Sequence, residues 1–244
     1  MQNDTVHPVQ IQRLHERVVQ QLVQQIVGGA FVPGDSLPTE PDLAQRFGVS
    51  RTVVREAVRV LASKGLLAVR QGSGMWVQEP DRWDHLDPLI IFEQVSTQGD
   101  QALLDELIET RRVLETEIAS MAAARRTEED LAALREALAG MERSKDDAKA
   151  YTQYDIVFHD AILAAARNRL LREALRPVAN VMRAGRFIAV RRAGVISRSL
   201  PSHHAIYDAI AASDSAQARE AMRRHIMQFE EDIRAGLREG ALQE

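Results

Sequence analysis

The chain has 244 residues, 45% of them hydrophobic, and a formal net charge of −4. This length and apolar content are enough for one large folded domain or two smaller ones. The absence of cysteine excludes disulfides, thiolate metal ligands and a cysteine nucleophile. The first residues do not predict a signal peptide, and no apolar run approaches the roughly 18 residues of a membrane span. The sequence therefore predicts a soluble cytoplasmic protein with no membrane partner.

The charge is divided unevenly along the chain. Residues 1–78 carry 8 Arg and Lys against 6 Asp and Glu, whereas the remaining residues carry 23 against 29. A basic front and an acidic back fit a nucleic-acid-binding head joined to a separate body.

Helix signals follow one another through the front of the chain. Apolar side chains recur at helical spacing over residues 11–26, and Gly28 ends that helix. Thr39 and Asp42 have the spacing of a capping box, which starts a second, short helix. Ser50 is placed to cap a third helix. The stretch LLAVRQGSGMWV then predicts two short strands around a glycine-rich turn.

This order of elements is that of a winged helix-turn-helix, which we assign to residues 1–78. Its second helix enters the major groove of DNA, and its first turn here contains Arg51, Thr52 and Arg55. The two arginines lie one turn apart and can each bind guanine or phosphate. The wing, around Arg70, reaches the minor groove or the backbone.

Residues 79–99 predict a linker, because EPDRWDHLDP combines two prolines with four acidic residues. Residues 100–244 are helical almost throughout and predict an antiparallel bundle of six or seven helices. The later helices are expected near residues 148–166, 168–192, 201–212 and 214–237. The fold class is therefore mainly α, with a small β-hairpin wing.

The head resembles the GntR family of bacterial transcription regulators through DSLPTEPDLAQRFGVSRTVVREAVRVLASKGLL. The resemblance implies that operator DNA is contacted by the residues matching the family's recognition helix and wing tip, which are Arg51, Thr52, Arg55, Gln71 and Gly72. Family members often have a DNA-contacting arginine at the position of Pro41, and a proline has no side-chain donor.

Histidines in the body suggest a metal site. Asp155 and His159 are four positions apart in YTQYDIVFHDAI, so both leave the same face of a helix. His203, His204 and His225 lie further along, the first two at the start of a predicted helix. A lone histidine is more often a core or surface residue than a ligand. Three histidines and an aspartate facing the inside of a bundle suit zinc, nickel or manganese.

The body resembles the FCD ligand-binding domain of the FadR subfamily through RRVLETEIASMAA, DIVFHDAI and HHAIYDAIAASDSAQAREAMRRH. The resemblance implies a divalent metal, with zinc as first choice, held by Asp155, His159, His203 and His225. His204 is then exposed or supports a ligand. The family glutamate that precedes the third ligand is replaced by Ser202, which predicts that a support for the metal ligands is missing.

A small carboxylate effector follows from this ligand set. Four protein ligands leave a six-coordinate ion two open positions, which a carboxylate and a neighbouring hydroxyl can fill. By the resemblance, Arg111 faces the cavity and binds the effector. Arg183 and Arg186 are further candidates, for adding positive charge to the cavity. The stretch DRWDHLDPLII resembles members that respond to sugar acids. A sugar acid is thus the first choice, other hydroxy acids or dicarboxylates the second, and fatty acyl-CoA is disfavoured.

The sequence as a whole predicts a homodimeric transcriptional repressor of catabolic genes, released from its operator by this effector. Two alternatives stay open at this point. One is a metal-sensing regulator, in which the ion itself is the effector. The other is a metal-dependent enzyme with a DNA-binding head, although no catalytic base is evident beside the metal.

Overall fold

In the computed structural model, the described residues are 14–240 apart from residues 71, 73, 98 and 191. The chain divides into two compact units, Met1–Gly99 and Asp100–Glu244. Within the described residues, the architecture is almost entirely helical, with a single two-stranded sheet in the first unit. No helix among those residues has both the length and the apolar character needed to cross a membrane.

The first unit is a winged helix-turn-helix. Its elements are α1 (Leu14–Val27), α2 (Glu40–Phe47), α3 (Arg51–Ser63), β1 (Leu67–Arg70), β2 (Gly74–Val77) and α4 (Pro88–Ser96). Helix α3 packs against α1, α2 and β1, and the two strands pair antiparallel with Leu67 opposite Val77. The core comprises apolar faces of α1 and α3 closed by the hairpin, including Leu22, Leu61 and Met75.

Local capping explains where the recognition helix and its predecessor begin. The Thr39 side chain accepts a hydrogen bond from the Asp42 backbone, and the Asp42 side chain accepts one from the Thr39 backbone, so the predicted capping box is confirmed. Ser50 caps α3 by accepting a bond from Val53 N at 3.3 Å. Gly48 ends α2 with φ of 65°, a left-handed conformation that glycine adopts without steric cost.

The segment predicted as a linker contains a 3-10 turn and helix α4, which packs against α1 within the first unit. Trp83 is buried in the core of this unit and donates a hydrogen bond to the Gln78 carbonyl at 3.0 Å. Asp87 caps α4 and forms an ion pair with Lys64 at the end of α3. Leu86 remains exposed.

Over its described residues, the second unit is a bundle of six helices. Its helices are α5 (Gln101–Arg125), α6 (Glu128–Arg143), α7 (Ala148–Ala165), α8 (Arg169–Ala189), α9 (Val195–Ala211) and α10 (Ser215–Gly240). Helix α5 packs against α7, α8, α9 and α10, so it lies at the centre of the bundle. Residues on these five helices can therefore meet in one interior site.

Helix α9 begins earlier than the sequence predicts. The expected start near residue 201 treated Pro201 as a first-turn residue, but the helix starts at Val195, after Gly194 with φ of 78°. Proline inside a helix removes one backbone donor. Burial of Val195 and Leu200 against the bundle favours the longer helix in spite of that loss. His203 and His204 consequently lie in the middle of α9 and not at its start.

Candidate functional site

The predicted DNA-contacting side chains lie at the start of α3. Arg51, Thr52 and Arg55 are exposed in its first two turns. Arg55 Nε lies 3.2 Å from Glu40 Oε2, so this arginine is paired with the first residue of α2. Pro41 stands at the N-terminus of α2, where a missing backbone donor costs nothing.

The wing places Gly72 at its exposed tip with φ of 77°, which a side-chain-bearing residue rarely adopts. Beside it, the Arg70 guanidinium lies over the Trp76 ring, 5.7 Å from the ring centroid. The other predicted wing contact, Gln71, lies outside the described residues.

In the second unit, three helices bring three imidazoles together. His159 of α7, His203 of α9 and His225 of α10 each offer a ligand atom, and these atoms all lie within 4.8 Å of one another. His203 is fully buried and His225 is 5% exposed. Asp155, one turn before His159, places Oδ1 2.8 Å from His203 Nε2 and 4.0 Å from His159 Nε2. All four residues of the predicted ligand set thus lie at one interior position.

The free nitrogen atoms in this cluster suit a metal ion. His159 Nε2 is buried and has no hydrogen-bond partner among the described residues, and the buried His203 Nε2 faces only the Asp155 carboxylate there. His203 Nδ1 lies 2.8 Å from the Ser199 carbonyl oxygen, to which it can only donate. In the neutral ring, Nε2 then carries a lone pair beside the Asp155 carboxylate, a juxtaposition that a cation would stabilise. The donor set of imidazoles and a carboxylate fits zinc, nickel or manganese.

His159, His225 and Asp155 have pKa values well below their usual ranges. Burial lowers the pKa of His159 to about 4, with a further contribution from the positive charge of Arg186. Burial and the neighbouring histidines hold the pKa of His225 well below its usual range. Burial opposes ionisation of Asp155, but Arg186 and contact with His203 outweigh it and hold its pKa well below normal. Neutral imidazoles and an ionised carboxylate are the protonation states that a metal ion requires.

A buried ion pair supports His159 from the neighbouring helix α5. Arg111 Nε donates a hydrogen bond to Glu115 Oε1 at 2.7 Å, and Glu115 Oε2 lies 3.5 Å from His159 Nδ1. The Arg111 guanidinium also stacks over Phe229, 4.5 Å from its ring centroid. Sequence reasoning missed Glu115. Its spacing of four residues from Arg111 was the available signal.

The expectation that Ser202 leaves a support missing is wrong. Its hydroxyl oxygen lies 2.9 Å from His225 Nδ1 and 2.6 Å from the Ser199 carbonyl oxygen, to which it donates. A serine can fill this place because residue 202 faces α10 from the middle of α9. The sequence predicted that α9 starts near residue 201, which would place Ser202 at the end of the helix and not in its middle.

Two cavities flank the histidine cluster, and Arg186 lines both. The first is lined by Asp155 and His225 and also by Tyr151 and Gln228. Gln228 Nε2 is buried without a hydrogen-bond partner among the described residues, and the buried Tyr151 hydroxyl lies beside Ser199. The second cavity is lined by Glu115 and His159. Arg111 lines neither of these two cavities. Its guanidinium is bonded to Glu115, which lines the second cavity.

The remaining candidates lie at the surface. His204 is 41% exposed in its side chain, and its Nε2 lies 2.9 Å from Glu142. Arg183 is 43% exposed and pairs with Asp160 at 2.8 Å, and both residues also line the second cavity.

A winged helix-turn-helix unit followed by an all-helical unit is the architecture of a class of transcriptional regulators. The family model for "Bacterial regulatory proteins, gntR family" matches residues 14–77, and the FCD domain model matches residues 106–228. The chain belongs to the GntR family and carries an FCD domain.

Relatives of nearly the same length support this assignment. The galactonate operon transcriptional repressor of Escherichia coli is 31% identical over 84% of this chain and 90% of the relative. The regulator LutR of Bacillus subtilis is 34% identical over 86% of this chain and 96% of the relative. The family and these relatives are transcriptional regulators and not enzymes, so the enzyme alternative is set aside.

The fold is also found among solved structures. Lar, which controls the agr system of Listeria monocytogenes, is 20% identical, with a TM-score of 0.64 over 93% of this chain and 99% of Lar. McbR/YncC of E. coli is 23% identical, with a TM-score of 0.52 over 88% of this chain and 94% of that protein. At these identities the likeness concerns the fold alone.

Proposed function

We propose that this regulator is a repressor whose body holds a divalent metal ion and is released from operator DNA by a small hydroxylated carboxylate. The observation that carries the proposal is the cluster of His159, His203 and His225 within 4.8 Å of one another, beside the ionised Asp155. Because that cluster is buried and adjoins a cavity, a ligand that reaches the ion is removed from water and strongly held.

The metal is proposed to bind to Asp155, His159, His203 and His225, with zinc as first choice and nickel or manganese as alternatives. A bound divalent ion would supply a Lewis-acidic anchor for a carboxylate and a neighbouring hydroxyl. The protein contributes the buried site, the neutral imidazoles and the charge of Asp155. It also contributes Arg186, whose buried guanidinium faces both cavities.

The proposed effector is a sugar acid, with other hydroxy acids and dicarboxylates as the second choice. Arg186 lines both cavities and is the proposed partner of its carboxylate, whereas the charge of Arg111 is offset by Glu115. The Gln228 amide, which has no partner among the described residues, and the Tyr151 hydroxyl both line the first cavity. They favour a ligand with hydroxyl groups, because hydrogen bonds to such a ligand satisfy buried polar groups that otherwise cost stability. The E. coli relative that represses the galactonate operon makes galactonate the first compound to test.

The head is proposed to read DNA through Arg51, Thr52, Arg55, Gln71 and Gly72. A homodimer would place two recognition helices in successive major grooves of a palindromic site, in the cytoplasm where the operator lies. Effector binding then shifts the body toward a conformation with lower operator affinity. The size of this shift is limited by how much more tightly the effector binds that conformation than the DNA-binding one.

The test combines metal analysis with thermal unfolding. Purified protein is analysed for zinc, nickel and manganese, and its Tm is measured with galactonate, other sugar acids, hydroxy acids, dicarboxylates and fatty acyl-CoA, before and after chelation. We expect one acid class to raise Tm only in the metal-loaded protein. That acid should also release the protein from an operator selected from a random DNA library.

Two variants make the test specific to the site. His203→Gln should lose both the metal and the acid-dependent shift, whereas His204→Gln, the exposed neighbour, should keep both. An effect of metal alone on DNA binding, with no response to any acid, would favour a metal-sensing regulator. If His203→Gln kept both the metal and the response to the acid, the proposed site would be contradicted.

A further inference from the structure

The Ser202 hydroxyl links two of the candidate metal ligands through one backbone carbonyl. Ser202 Oγ lies 2.6 Å from the Ser199 carbonyl oxygen, one turn earlier in α9, and 2.9 Å from Nδ1 of His225 on α10. His203 Nδ1 lies 2.8 Å from the same carbonyl oxygen. Two histidines from different helices are therefore held by a single acceptor, one directly and one through the serine.

The direction of each hydrogen bond follows from the number of protons available. A carbonyl oxygen only accepts, so Ser202 must donate its one hydroxyl proton to Ser199. The serine oxygen can then only accept from His225, which places a proton on His225 Nδ1. By the same reasoning His203 donates from Nδ1. A neutral imidazole with Nδ1–H has its lone pair on Nε2.

We propose that Ser202 is a positioning residue that selects the Nδ1–H tautomer and the ring orientation of His225, so that Nε2 is offered to a divalent ion. This inference rests on the proposed function for the identity of the ligand, but its geometry does not depend on which ion binds. A metal-bound histidine commonly donates its second ring nitrogen to a neighbouring acceptor, and loss of that acceptor typically weakens metal binding about 10- to 100-fold.

The chain offers a matched control in the same helix. Ser197 Oγ donates to the Gly194 carbonyl oxygen at 2.9 Å, which is the same three-residue hydroxyl-to-carbonyl bond that Ser202 makes. Ser197 is exposed, and no histidine contact is found for it among the described residues. Ser202→Ala and Ser197→Ala therefore remove the same local bond, but only the first removes the acceptor of His225.

The experiment uses the full-length protein and has two measurements. Histidine tautomers in the metal-free protein are read from long-range ¹H–¹⁵N NMR correlations, with His225 assigned by the loss of its signals in His225→Gln. Zinc affinity is measured by competition with a chromophoric chelator. We expect Ser202→Ala to lose the pure Nδ1–H tautomer of His225 and about tenfold or more in zinc affinity. Ser197→Ala should retain both, and Ser202→Thr, which keeps a hydroxyl, should recover both.

The inference would be overturned if Ser202→Ala kept the Nδ1–H tautomer of His225 together with wild-type zinc affinity. It would equally be overturned if affinity fell in Ser202→Ala and Ser197→Ala alike, because a general effect on α9 would then explain the loss. These results differ from a failure of the proposed function. In that case the wild-type protein binds no zinc, nickel or manganese, while the NMR measurement still reports whether Ser202 sets the tautomer.

Discussion

Arg186 Nε lies 2.6 Å from Oδ2 of Asp155, and both side chains are more than nine-tenths buried. Asp155 therefore uses one oxygen toward a guanidinium and the other toward the histidine cluster. The arginine of α8 keeps the carboxylate ionised in a place where burial alone would favour its neutral form. The proposed metal site and the arginine that lines both cavities are thus joined at Asp155.

Removing this buried charge should destabilise the metal-free protein. We expect Arg186→Gln to lower the free energy of unfolding by about 3 kcal/mol, because it leaves a buried carboxylate without its partner. Zinc should restore part of that loss, since the ion supplies positive charge to Asp155. The measurement is urea unfolding with and without zinc. Arg183→Gln is the control, because the Arg183–Asp160 pair is exposed and should contribute less than about 1 kcal/mol.

The stability of the metal-free protein should depend on pH through His159. Its pKa is lowered to about 4 from 6.5, so the folded chain binds fewer protons than the unfolded chain between these values. Stability should therefore fall as pH drops from about 6.5 to about 4 and stay level with respect to this group above 6.5. His159→Gln should reduce the slope in that window. An unchanged slope in chemical denaturation would contradict the assignment.

Operator binding should depend on the exposed arginine of the recognition helix. Arg55→Ala should weaken binding by about 1–3 kcal/mol, the typical contribution of an arginine that binds a base edge, without changing metal content or Tm. Fluorescence anisotropy with the selected operator measures the affinity. Retention of wild-type affinity would show that α3 is not inserted in the proposed manner.

Removing the partner of Arg55, Glu40, should have the opposite effect on DNA binding. Glu40 lies 3.2 Å from Arg55 and adds negative charge where phosphate should approach. Glu40→Gln should free the arginine and tighten DNA binding a few-fold, because a partly exposed ion pair contributes about 0.2–1 kcal/mol. Affinity should be compared at low and high salt. Weaker binding in this variant would mean that Glu40 holds Arg55 in its binding conformation.

The sequence predicted the features that depend on residues within a single helix or next to it. The cap residues Thr39 and Ser50 predicted the starts of α2 and α3, because a cap depends only on residues a few positions away. The four-residue spacing of Asp155 and His159 likewise placed both on one face of α7. The order of the helices and the hairpin then predicted the fold class.

Contacts across helices could not be predicted in this way. Glu115 on α5, Arg186 on α8 and Ser202 on α9 contact proposed metal ligands on other helices, and the linear sequence carries no local pattern for such pairs. The first position of α9 was also decided by packing, since burial of Val195 and Leu200 favours a helix that contains Pro201.

The sequence by itself thus determined the two-part organisation, the family and the residue types able to bind a metal. Only the tertiary structure decided which side chains support them, with Arg186 at Asp155, Glu115 at His159 and Ser202 at His225. The physical reason is that caps and helical periodicity act over a few residues. Buried polar side chains pair with whichever polar atoms of other helices come within about 3 Å of them after the helices pack.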